Sequence, residues 1–126
     1  MRRHFNHPTR VIVAAAILVV AVTATTAWAH VQISSRSPKP GSTVSKSLRT
    51  VKITFNGPLR SGTLKVYGPK GGKVSIGNGG RDATNIKRLK TTLKSGLKVG
   101  KYTAKWTETA ADGHKKNGSF TFSLKK

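Results

Sequence analysis

Gly100-Lys101-Tyr102-Thr103-Ala104-Lys105-Trp106-Thr107 decides the fold class. Tyr102, Ala104 and Trp106 occupy every second position, with Thr103, Lys105 and Thr107 between them. That period belongs to a strand with one buried face, and it places both aromatic rings in a core rather than on a ligand. Phe120, Phe122 and Leu124 repeat the alternation near the C-terminus. Upstream, Val51, Ile53 and Phe55 alternate with Lys52 and Thr54, Leu64 and Val66 follow Gly62, and Val31 and Ile33 share a face. Lys73 to Ile76 reads as a short, weak strand, and Ile86 to Leu93 as a basic, less regular one. Turn chemistry separates these runs at Ser37-Pro38-Lys39-Pro40-Gly41, Asn56-Gly57-Pro58, Gly68-Pro69-Lys70-Gly71-Gly72 and Asn78-Gly79-Gly80. No segment carries a helical stripe. The expectation is an all-β domain, an immunoglobulin-like Greek-key antiparallel sandwich or barrel of about seven strands. The glycine-rich stretch from Gly68 to Gly80 is expected to be a flexible surface loop. It is not a P-loop, because Val74 follows Lys73 where Ser or Thr would bind magnesium.

Composition removes several functions. The chain has 126 residues and no Cys, which excludes disulfides, thiolate zinc sites, iron–sulfur clusters and a cysteine nucleophile. Three carboxylates in all leave no material for a multi-carboxylate calcium site. The formal charge of +21 points any polymeric partner toward the anionic class.

The N-terminus reads as a targeting segment, residues 1–29, rather than part of the fold. Arg2, Arg3 and Arg10 form a positive region, and Val11 to Val22 is an unbroken apolar run of 12 residues. A membrane-spanning helix needs about 20. Thr23 to Ala29 would extend the run into an uncleaved anchor, but Ala27-Trp28-Ala29 is a small-x-small cleavage site. Arg2-Arg3-His4-Phe5 has the paired arginines of a twin-arginine signal, although Asn6 and His7 do not continue that pattern. Cleavage after Ala29 leaves one domain, residues 30–126. It is exported to the periplasm, the cell envelope or the exterior, has no further apolar stretch, and is expected to act as a monomer. Its 21 cations and 3 acids give +18 over 97 residues.

That cleavage also creates a chemical group. A terminal His30 offers its α-amine and imidazole Nδ1 to one metal ion, and His114, the other histidine of the mature chain, offers a third nitrogen. Copper(II) prefers such tetragonal nitrogen and oxygen ligands and stands at the top of the divalent affinity order. Asp112 can converge with His114 across Gly113, since residues i and i+2 of a strand or tight turn point the same way. The plainer alternative is a frayed terminal residue and an Asp-Gly hairpin turn. An amino-terminal copper/nickel motif needs His at the third position, which is Gln32.

Ala29-His30-Val31, Ser37-Pro38-Lys39-Pro40-Gly41-Ser42 and Val51-Lys52-Ile53-Thr54-Phe55-Asn56-Gly57-Pro58-Leu59 resemble CopC-type periplasmic copper-binding domains. So do Gly100 to Trp106, Ala111-Asp112-Gly113-His114 and Gly118-Ser119-Phe120-Thr121-Phe122. The Asp-Gly-His tail with its Tyr-x-x-x-Trp strand is the most specific part. The resemblance implies a seven-strand Greek-key fold and a copper(II) site formed by His30, Asp112 and His114. It also implies storage, transfer or resistance rather than enzymatic work, with delivery to a copper-transporting membrane protein. Four departures stand out. Gly57 occupies the place of a common family Glu, Lys115 follows the motif His where Pro is frequent, the sole Met is Met1, and the charge is unusually positive. Without methionines there is no basis for a copper(I) site.

Two other functions compete. One is a basic adhesive module that holds an anionic envelope polymer or nucleic acid without metal. Lys52, Lys65 and Lys105 lie on outward strand positions, and Lys87-Arg88-Leu89-Lys90 and Lys115-Lys116 form possible patches. The other is a histidine-brace oxidase of polysaccharides, for which the chain has too few aromatics to build a flat sugar platform.

Overall fold

The computed structural model describes residues 31–126, which form eight strands and no helix. They are β1 (Ile33–Ser37), β2 (Thr43–Ser45), β3 (Thr50–Phe55), β4 (Leu59–Tyr67), β5 (Ser75–Asp82), β6 (Asn85–Leu93), β7 (Gly100–Ala110) and β8 (Lys115–Lys125). Two four-stranded sheets face each other, in the orders β1-β3-β6-β5 and β2-β8-β7-β4. The alternation seen in the sequence is what closes them. Val51, Ile53 and Phe55 are buried on β3, Tyr102, Ala104 and Trp106 on β7, and Phe120, Phe122 and Leu124 on β8. Each buried aliphatic or aromatic side chain of this kind stabilises a fold by about 1.5–3 kcal/mol relative to exposure.

The aromatics join the layers. Phe55 meets Trp106 edge-on across the sheets, with centroids 5.7 Å apart and planes at 73°. Tyr102 stacks on Phe122 at 5.8 Å, and its hydroxyl donates to the Lys98 carbonyl at 2.6 Å, so its polar end is satisfied inside an apolar body. Tyr102 and Trp106 are core residues, as their alternation requires.

The count differs from expectation by one strand. β2 has three residues and pairs in parallel with β8 through Thr43, Val44 and Ser45, so the sandwich is not wholly antiparallel. Its brevity gives no periodicity to read. The larger correction concerns Gly68 to Gly80. Instead of one flexible loop, the chain makes a tight turn at Gly68–Gly72, bridges β4 at Lys73, and then runs as β5 along the edge of the other sheet. The Asn78-Gly79-Gly80 turn is therefore strand. Val74 N–H donates to the Val66 carbonyl at 2.8 Å, and the buried Ser75 hydroxyl accepts from Val66 N–H at 3.0 Å. These bonds carry the chain from one sheet to the other. Gly79 has φ +61°, and a Cβ there would stand 2.6 Å from the Leu64 carbonyl oxygen and 2.9 Å from that of Lys90. The glycines let two backbones approach at this edge.

Candidate metal centre

β7 and β8 form one long antiparallel ribbon, paired from Gly100↔Leu124 to Thr109↔Lys115. The link between them is Ala111-Asp112-Gly113-His114. Gly113 takes φ +88°, where a residue with a Cβ is strained. Gly113 N–H donates to the Ala110 carbonyl, and Ala110 N–H to the His114 carbonyl, both at 2.9 Å. Asp112 closes the turn with its side chain: its Oδ1 accepts from His114 N–H at 2.9 Å, an Asx turn. Its Oδ2 then lies 3.0 Å from His114 Nδ1. The imidazole is about half exposed, at 53%, and the carboxylate 21% exposed. Arg60 Nη2 donates to the Ala111 carbonyl at 3.0 Å and holds the hairpin against β4.

The beginning of the described chain reaches the same end of the sandwich. Asn56 clamps it in both directions: its N–H donates to the Gln32 carbonyl, and its Oδ1 accepts from Gln32 N–H, both at 2.9 Å. Val31, Asn56, Gly57, Pro58, Ala110, Ala111 and Asp112 line one cavity of about 280 Å³. Lys116 Nζ reaches the Val31 carbonyl at 3.4 Å. Of the three site residues read from the sequence, Asp112 and His114 therefore come together beside Val31. The third, His30, lies outside the described residues, as does the 1–29 segment. Among the described residues no group of three or more His, Asp or Glu side chains forms a metal cluster.

Gly57 has a local reason. A Cβ at this position would stand 3.2 Å from Val31 Cγ2, so a side chain here crowds Val31, just ahead of β1.

A different acid lies near this end, and the sequence reading passed it over. Glu108 is 1% exposed, and its Oε2 has no hydrogen-bond partner. It pairs in register with Lys116 on β8 and Gly62 on β4. Burial raises its carboxyl above the ordinary glutamate value, Lys116 partly opposes that, and the Asp112 charge adds to it. The signal was present in the alternation, since Tyr102, Ala104, Trp106, Glu108 and Ala110 share one face.

A small two-sheet β domain with a carboxylate–imidazole hairpin beside its first strand is the class that fold and site define. The family model of the CopC domain matches residues 33–125, and the chain belongs to the CopC family. Protein YobA of Escherichia coli K12 is 30% identical over 114 residues, covering 89% of this chain and 92% of that protein. Protein YobA of Shigella flexneri matches equally. Among solved structures, CopC from Methylosinus trichosporium OB3b superposes with a TM-score of 0.63 at 25% identity, over 75% of this chain and 93% of its own. PcoC, a methionine-rich copper resistance protein from Escherichia coli, shares the fold with a TM-score of 0.60 at 22% identity, over 77% of this chain and all of its own.

Proposed function

We propose that this chain is an exported copper(II)-binding protein of the copper-resistance kind, which holds the ion for storage or transfer at one end of the sandwich. The family supports copper, as do the copper resistance proteins that share its fold. The observation that carries the site is the pairing of Asp112 Oδ2 with His114 Nδ1 at 3.0 Å, beside Val31. At that distance Asp112 Oδ2 accepts from the His114 Nδ1–H, the kind of contact that fixes the orientation of an imidazole whose Nε2 would bind an ion. Asp112 and His114 supply one carboxylate oxygen and one imidazole nitrogen. His30, once freed by cleavage after Ala29, supplies an α-amine and a second imidazole.

The donor set selects the oxidation state. Copper(I) favours thiolate and thioether ligands, whereas nitrogen and oxygen suit copper(II). The chain has no Cys, and its one Met is Met1. PcoC is methionine rich, and this chain departs from it in that respect.

Two variants test the site. His114→Ala removes a nitrogen ligand, and one alanine inserted before His30 of the mature chain destroys the amine–imidazole chelate. Each is expected to weaken copper(II) by more than the roughly 10–100-fold typical of an outer-sphere change, with the unfolding midpoint unchanged for the extended variant. Competition against a chelator of known affinity reads the loss. Unchanged copper affinity in the extended protein would refute the role of His30.

A further inference from the structure

The outward face of the β2-β8-β7-β4 sheet carries no acid. Its central residues alternate with the buried Leu64, Val66, Ala104 and Trp106, and they are lysines and hydroxyl side chains around one tyrosine. Lys65 on β4 stands directly opposite Lys105 on β7. Like charges in that relation are destabilising, yet none of the chain's three carboxylates relieves them. Glu108 is buried inside. Asp82 belongs to the other sheet, where its Oδ1 accepts from Thr84 N–H and hydroxyl and its Oδ2 lies 3.8 Å from Arg88. Asp112 lies at the hairpin with His114. Tyr67 stabilises one of the ammonium groups without cancelling its charge: its ring lies 5.1 Å from Lys105 Nζ, a cation–π contact. The Thr63 and Thr107 hydroxyls bond one another at 2.7 Å on the same face, and Lys101, Thr103 and Thr121 line a depression beside Tyr67.

We propose that this face is a docking surface for a linear phosphodiester polyanion, gripped through its charged backbone by Lys65, Lys101 and Lys105, with threonine hydroxyls as further donors. Ammonium groups and hydroxyls are phosphate-binding chemistry, and a row of them without opposing acids fits a chain of phosphates better than a single ion. The partner is a phosphate polymer of the envelope type rather than a nucleic acid. Single-stranded nucleic acid is held by aromatic platforms on which bases stack, and the one ring on this face already has the Lys105 ammonium against it. Nor is there, among the described residues, a helix to enter a groove. The basic β6 run Lys87-Arg88-Leu89-Lys90 is a weaker place for such a partner, because Arg88 is engaged by Thr54 at 3.2 Å and by Asp82.

The opposite sheet provides an internal control, since Lys52 and Lys90 also stand directly opposite each other there. Binding of labelled poly(glycerol phosphate) is measured for the unaltered protein, for Lys65→Gln/Lys105→Gln and for Lys52→Gln/Lys90→Gln, two doubles of equal net charge. The first double is expected to lose about tenfold or more in affinity and to flatten the slope of log affinity against log salt by about 1.4, or ~0.7 per lost phosphate contact. Its unfolding midpoint should rise by about a few degrees, because a repulsive pair is gone. That rise separates lost binding from lost folding. The second double should stay within twofold of the unaltered protein. Equal losses from both doubles would overturn the proposal, since binding would then follow net charge alone, and so would no loss from the first. A single-stranded oligonucleotide of matched phosphate number should bind no more tightly than poly(glycerol phosphate). Tenfold tighter binding of the oligonucleotide would make this a nucleic-acid surface instead.

Discussion

Glu108 is the residue whose surroundings conflict most with its chemistry. A strand position flanked by Trp106 and Ala110 on the inner face is apolar ground, and a carboxylate there has lost its water. Its folded-state pKa therefore lies above its unfolded value of about 4.5. Between those two values the folded state binds more protons than the unfolded one, so stability falls as pH rises through the interval. Below about pH 4 both states are protonated and the effect is absent. Glu108→Gln is thus expected to be more stable than the unaltered protein at pH 7 and to lose that advantage at pH 4. Urea unfolding at the two values checks this, and a Gln variant equally destabilised at both would show that the carboxylate is held by interactions better than its burial suggests. Asp112 and His114 were legible from the sequence because a short Asp-Gly-His turn brings its own side chains together. Glu108 is equally legible in principle, since it continues the inner-face alternation of Tyr102, Ala104 and Trp106.

Among the elements, β3, β7 and β8 were legible because each buries one face against the core, and burial leaves a period of two in the sequence. β5 was not. Its centre is Gly77-Asn78-Gly79-Gly80, a composition that reads as turn, and it holds as a strand because β6 pairs with it on both sides of a bulge between Ile76 and Gly80 while the β4 backbone presses on Gly79. β2 was invisible for a different reason. Three residues are too few for a pattern, and its parallel pairing with β8 depends on where the distant C-terminus lies. The account of β5 predicts that Gly79→Ala destabilises the protein by about 2 kcal/mol or more, combining a left-handed backbone with a Cβ set against two carbonyls. Gly71, also at positive φ but with nothing within 4 Å of its Cβ position, should lose only about 1–2 kcal/mol on the same change. Thermal unfolding of the two variants side by side measures the difference. Equal losses would mean that the β4–β5 approach is not tight.

At the scale of the whole molecule the two proposed sites are separated by position. Val31, just ahead of β1, and the β7–β8 hairpin meet at one end of the sandwich, while the unopposed lysines spread over the flank of one sheet. The metal site proposed at that end requires a free α-amine on His30, which cleavage after Ala29 would create. The fold leaves Val31 beside Asp112, so that a chain beginning one residue earlier can join the site. Intact mass of the exported protein, recorded under non-denaturing conditions with and without copper(II), tests that claim most directly. The account predicts a chain running from His30 to Lys126 that gains the mass of one copper ion. A mature terminus at any other residue, or a His30 terminus that takes up no copper, would contradict it.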